Sequence, residues 1–181
     1  MKTMFPILTA ALFGFALSSC EDSSSEADAS DPKLESLFVE TDPGEAKSVI
    51  EARKDPTPGS EITLVGRVGG TLKPFTEEYA LFVLADNTLE TCDRIPDDEC
   101  PTPWDACCAD PEVIKNSRLT VQVLGEDARP IEQSLKGVKG LKELDEVVVT
   151  GTIAATSTPE NLIVNATSIY QKPLMPVTIA E

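Results

Sequence analysis

The stretch Glu61-Ile62-Thr63-Leu64-Val65-Gly66-Arg67-Val68-Gly69-Gly70 decides the fold. Ile62, Leu64, Gly66 and Val68 alternate with Thr63, Val65 and Arg67, the period of a strand with one face in a core. A glycine inside the run and a glycine pair at its end mark a strand that bends sharply or meets another backbone closely. Glu146–Ala154 repeats the design, with Val147, Val149, Gly151 and Ile153 set against Val148, Thr150 and Thr152. Three more runs share this β-branched and apolar character: Tyr79–Ala85, Arg118–Leu124 and Asn161–Thr167. Tyr79–Ala85 is apolar enough to be covered on both faces.

Two helices are predicted around these strands. Residues 43–54 form the first, with Asp42 as cap, Pro43 in the first turn and Asp55-Pro56-Thr57-Pro58-Gly59 as the stop. Pro130–Gly137 forms the second, with Ile131 and Leu135 one turn apart and a Gly at its end. Gly137-Val138-Lys139-Gly140 reads as the cap and turn that follow it. The order from Glu61 is then β-β-β-α-β-β. In order and spacing, residues 61–170 resemble an OB-fold, the five-stranded Greek-key barrel with a helix between strands three and four. The resemblance implies a mainly β domain with a small barrel, the 43–54 helix in front of it, and a Cys-rich insertion between strands two and three. It also implies a ligand face on strands two and three, although a fold does not fix a function.

Composition narrows the function. The 181 residues carry 15 basic and 31 acidic side chains and no His, a net charge of −16. One domain with extensions is the expectation for this length. Without His, Ser-His-Asp and Cys-His catalytic systems and His-containing metal sites are excluded. Residues 61–181 alone hold 20 acids against 10 bases. That balance argues against nucleic acid as the partner, because phosphate affinity comes from clustered Lys and Arg. Arg67, Lys73, Arg118 and Lys172 are the bases available to line one barrel surface. The aromatic residues Phe75, Tyr79, Phe82 and Tyr170 are assigned mostly to the core.

The N-terminus is an address. Lys2 is followed by an apolar run from Met4 to Leu17 that is short for a membrane span and fits a secretory signal. The run ends in Leu17-Ser18-Ser19-Cys20, which resembles a bacterial lipobox. The resemblance implies cleavage after residue 19 and a diacylglycerol thioether and N-acyl chain on Cys20. Several acyl chains make a stable membrane anchor. Residues 20–32 then read as a tether, rich in Asp, Glu and Ser, that cannot bury enough surface to fold. A cation-binding acidic tail is the functional alternative to a plain spacer. Residues 33–181 are the folded domain.

Four of the five Cys lie within residues 91–111, spaced C-x₇-C-x₆-C-C: Cys92, Cys100, Cys107 and Cys108. The only Trp, Trp104, and Asp105 stand among them as candidate binding-loop residues. A long excursion in a small barrel is functional or tied down. Three readings are open. In an oxidising compartment the four thiols form two disulfides, with Cys92 and Cys100 each bonded to one of Cys107 and Cys108. Four thiolates can instead hold Zn²⁺ or Cu(I), although no C-x₂₋₄-C pair is present. A vicinal pair with a resolving Cys can also exchange disulfides, although C-x-x-C is absent. The first reading is adopted, with no cofactor.

The run Cys100-Pro101-Thr102-Pro103-Trp104-Asp105-Ala106-Cys107-Cys108, together with Val65–Gly70 and Lys73-Pro74-Phe75, resembles segments of uncharacterised bacterial lipoproteins. This resemblance implies a shared architecture over residues 42–170 and no activity. Asn165-Ala166-Thr167 matches a glycosylation sequon inside a predicted strand and is set aside. The sequence thus describes a lipid-anchored envelope protein, not an enzyme. Its domain binds an unidentified protein, glycan or small molecule, or has a structural role.

Overall fold

The computed structural model describes residues 31–173. The expected signal sequence, Cys20 and all but the last two residues of the expected tether lie outside the described residues. Asp31 caps the first helix, α1 (Pro32–Ser36), by accepting a hydrogen bond from the Lys33 N–H. The next elements are β1 (Lys47–Ser48), α2 (Val49–Lys54), β2 (Glu61–Val68) and β3 (Leu81–Ala85). They are followed by α3 (Pro111–Asn116), β4 (Arg118–Gln122), β5 (Glu146–Ile153) and β6 (Ile163–Gln171). Among the described residues, no helix is long and apolar enough to cross a membrane.

The protein is mainly β, and its sheet closes on itself. The strand order is β1-β2-β3-β4-β6-β5, and β2 also pairs with β5 along Glu61↔Thr152 to Arg67↔Glu146. β2–β3, β3–β4, β2–β5 and β5–β6 are antiparallel, whereas β4–β6 is parallel through Thr120↔Ile163 to Gln122↔Asn165. This is the five-stranded OB-like barrel expected, with β1 added in parallel on the outside of β2. Leu64, Val68, Phe82, Leu84, Leu119, Val121, Val149, Val164 and Ile169 fill it. Alternation along each strand puts every second side chain inside. On β3, Phe82 and Leu84 are buried while Leu81 and Val83 are half-buried, so neither face is bare.

Glycines permit the closure. A Cβ at Gly66 would stand 2.5 Å from the Ala85 carbonyl oxygen. One at Gly151 would stand 2.2 Å from the Asn165 carbonyl oxygen, where the β5–β6 register shifts between Thr150 and Gly151. The bend leaves no room for a side chain.

Both predicted helices are corrected. The 43–54 helix is only α2: Ser48, not Asp42, is its cap, and Lys47–Ser48 is a strand. The Ser48 hydroxyl accepts from the Glu51 N–H and the Glu51 carboxylate accepts from the Ser48 N–H, a capping box that fixes the start. The helix predicted over Pro130–Gly137 is absent. Leu124 and Pro130 form an antiparallel bridge, the Ile131 N–H donates to Val123 O, and Ile131 O accepts from Ala80 N–H. These bonds use the backbone that a helix would need. One 3₁₀ turn at Val138–Gly140 follows, entered through Gly137 in the left-handed region (φ 86°). The last strand runs to Gln171, four residues beyond the expected Thr167. The expected Tyr79–Ala85 strand starts at Leu81.

Candidate functional site: a basic cleft and a thiol cluster

On the face of β3 and β4, a cleft of about 280 Å³ opens under α2. Its charged lining is Arg53 from α2, Lys73 from the β2–β3 loop, Lys115 from α3, Arg118 from β4, and Glu160 from the β5–β6 loop. Four bases meet one acid there, on a chain whose net charge is −16. Arg53 donates to Arg118 O (3.0 Å), Pro159 O (2.6 Å) and Glu160 O (3.4 Å). Arg118 donates to Gly70 O (3.2 Å). Backbone carbonyls therefore orient both guanidinium groups without neutralising them. None of the four bases makes a salt bridge among the described residues. Burial and then the Arg118 charge push Arg53 below its ordinary pKa, and Glu160 offsets part of this. Two cations held in mutual repulsion favour an anion between them.

Of the bases expected to share one surface, Lys73 and Arg118 do. The other two do not, because each has a nearer carboxylate. Arg67 bonds Asp93 at 2.7 Å, and Lys172 bonds Glu146 at 2.7 Å. Arg53 and Lys115 were missed. Arg53 lies within the predicted 43–54 helix with nothing local to mark it as a site residue, and Lys115 sits on a helix the sequence reading lacks, although Asp110-Pro111-Glu112 carries its start signal. A larger hollow of about 860 Å³ lies between α2 and β2. It is an open trough lined by Glu45, Glu51, Asp55 and Glu61 with Lys47, solvated carboxylates that present no organised donors.

The Cys-rich insertion leaves β3 and folds back on itself. The Cys92 N–H donates to Asp105 O and the Asp93 N–H to Pro103 O, each at 2.8 Å. This pairing sets Cys92 beside Cys107, with sulfurs 3.6 Å apart. The Cys107 and Cys108 sulfurs are 3.9 Å apart, and the sulfurs of Cys92, Cys107 and Cys108 all lie within 4.8 Å of one another. Cys100 is bonded to Thr102 (Sγ to Oγ1 3.4 Å) and acts electrostatically on Cys92 and Cys107. Among the described residues no disulfide joins any of the four. Cys92 is buried, Cys100 half-buried, and Cys107 and Cys108 are exposed.

Burial, then contact with Cys100 and Cys107, pushes the Cys92 thiol far above the usual thiol range. Thr102 and Cys92 draw Cys100 below it. For Cys107 the bond to Cys92 lowers the pKa, but Cys108, burial and Cys100 together outweigh it.

Trp104 and Asp105, singled out as binding-loop residues, brace the insertion. The Trp104 indole N–H donates to Leu72 O (3.1 Å), and Trp104 O accepts from the Gly70 N–H (2.8 Å). A Cβ at Gly69 would stand 2.8 Å from that same oxygen, so the glycine pair after β2 is what lets the loop dock. Asp105 accepts from the Ala106 N–H through its carboxylate and from Cys92 through its carbonyl. Ala85, Leu89 and Ala106 make a small satellite core beneath. Compared with the models of known protein families and with curated proteins, the chain matches none.

Proposed function

We propose that this chain is an envelope lipoprotein, anchored through lipidated Cys20, whose OB-like barrel is a non-catalytic binding domain for an anionic ligand. The observation that carries the reading is the basic cleft: Arg53, Lys73, Lys115 and Arg118 converge, without a salt bridge among the described residues, on an otherwise acidic protein. Two rigid guanidinium groups suit the planar or tetrahedral oxygens of a carboxylate or phosphate. The cleft volume of about 280 Å³ accepts one compact anionic group rather than a polymer strand. Phe75 and Phe82 pack on each other at 6.1 Å, in keeping with a core role rather than a base-stacking one. The ligand class is a small anion or the acidic group of an envelope glycan.

The experiment uses the full-length chain with Cys20→Ser, titrated calorimetrically at low ionic strength with inorganic phosphate and with an oligogalacturonate. Binding of at least one is expected, weakening as salt is added. Lys73→Gln with Lys115→Gln removes two charges that hold no carboxylate among the described residues, and should weaken it about tenfold or more. Absence of binding to both probes at low salt sinks the reading. Preferential binding of an oligonucleotide would replace the ligand class with nucleic acid.

A further inference from the structure

The thiol cluster calls for a chemical occupant, and its spacing selects one. A disulfide would hold two sulfurs about 2.0 Å apart, whereas Cys92 and Cys107 stand at 3.6 Å and Cys107 and Cys108 at 3.9 Å. With Zn–S bonds of about 2.3 Å, two ligands of a tetrahedral centre stand about 3.8 Å apart. The adjacent pair Cys107-Cys108, awkward on chain spacing alone, already has its sulfurs at that separation.

Beyond the Trp104 contacts with Leu72 and Gly70 and the Arg67–Asp93 ion pair, the insertion has little support of its own. Between β3 and α3 it forms no strand and only a three-residue 3₁₀ turn at Cys92–Arg94. Its own buried cluster is Ala85, Leu89 and Ala106. So small a core does not hold a long loop without a cross-link. We propose that Cys92, Cys107 and Cys108 are three thiolate ligands of a structural zinc ion, with Cys100 as the fourth. Binding releases the thiol protons to solvent as Zn²⁺ takes their place, with no change in oxidation state. Four sulfur ligands close the coordination shell, so the ion supports the loop and does not catalyse. The exposed Cys107 and Cys108 are the side from which metal enters.

The test uses the full-length Cys20→Ser chain, so that the remaining thiols are these four. Metal content, thiol reactivity and Trp104 fluorescence are measured before and after chelation. The expected result is one zinc per chain, with thiols that react only after chelation. Cobalt should substitute with the charge-transfer and d–d bands of a tetrahedral thiolate site. Trp104 emission should shift when the ion leaves, because the loop it braces loosens. Cys107→Ser and Cys108→Ser should each weaken zinc by more than the ~100-fold typical of losing an outer-shell partner, and Cys100→Ser by less. Far-ultraviolet circular dichroism checks that the barrel persists in each variant, and the wild-type chelation experiment stands if one does not fold. A metal-free protein with no free thiols would overturn the proposal in favour of two disulfides. Four reactive thiols that bind neither zinc nor cobalt would overturn it as well, and so would retention of copper alone.

Discussion

Asp86, at the end of β3, is buried with its side chain fully engaged. One carboxylate oxygen accepts from the Ile50 N–H (2.9 Å), and the other accepts from the Thr88 N–H (3.0 Å) and hydroxyl (2.7 Å). It therefore joins the first turn of α2 to the barrel. Burial pushes its pKa up, but the Ile50, Thr88 and Ser48 bonds outweigh burial and leave it below the ordinary carboxylate range. A depressed folded pKa stabilises the protein above the unfolded value and loses that contribution as pH falls through the folded one. Asp86→Asn should cost about 1–3 kcal/mol at neutral pH, since one amide oxygen replaces two charged acceptors. In urea unfolding, the gap to the unsubstituted protein should narrow on acidification below the ordinary carboxylate range. A gap constant with pH would show that the charge is irrelevant. Nothing in the sequence marks this residue. Asp86-Asn87-Thr88 reads as an ordinary turn, and its partner Ile50 is 36 positions away.

The strands were legible element by element because their signal is local. Alternation survives in one sequence, and the barrel glycines 66 and 151 stand where backbones cross. The element that failed, Pro130–Gly137, fails for a reason no local pattern carries. Ile131 and Leu135 are spaced for a helix face, yet Ile131 finds extended partners in Val123 and Ala80 across the barrel. Tertiary pairing overrides weak helix propensity. The α2 start was legible and passed over: Ser48-Val49-Ile50-Glu51 spells a capping box, while Asp42-Pro43 draws attention first. At the Cys-rich loop the residues were plain and the geometry was not. Adjacency of Cys107 and Cys108 in sequence does not reveal where their sulfurs point, and the pairing of Cys92 and Asp93 with Asp105 and Pro103 sets that.

At the scale of the whole molecule, charge is distributed unevenly. The net charge is −16, yet the β3–β4 face gathers four bases around one acid. An anionic membrane surface repels most of such a protein, so on the proposed reading the attachment rests on a lipid at Cys20. Cys20→Ser in the full-length chain should shift it from the membrane fraction to the soluble one and abolish fatty-acid labelling. Unchanged partition would show that something other than this residue holds the protein.

Gly70 is gripped from two directions. Its N–H donates to Trp104 O in the thiol loop, and its carbonyl accepts from Arg118 in the basic cleft. Loop and cleft thus share a hydrogen-bond partner, in the left-handed region at φ 77°, where a side chain would meet Ala85. Trp104 and Arg118 are joined through this single residue. Linkage then demands reciprocity: if zinc alters the affinity of the cleft for phosphate, phosphate alters the affinity for zinc by the same factor. Phosphate titrations of zinc-loaded and chelated protein, paired with zinc titrations at low and saturating phosphate, should return equal factors that differ from one. A factor of one in both would make the shared glycine a mere seam, and a protein with two tenants that never hear each other.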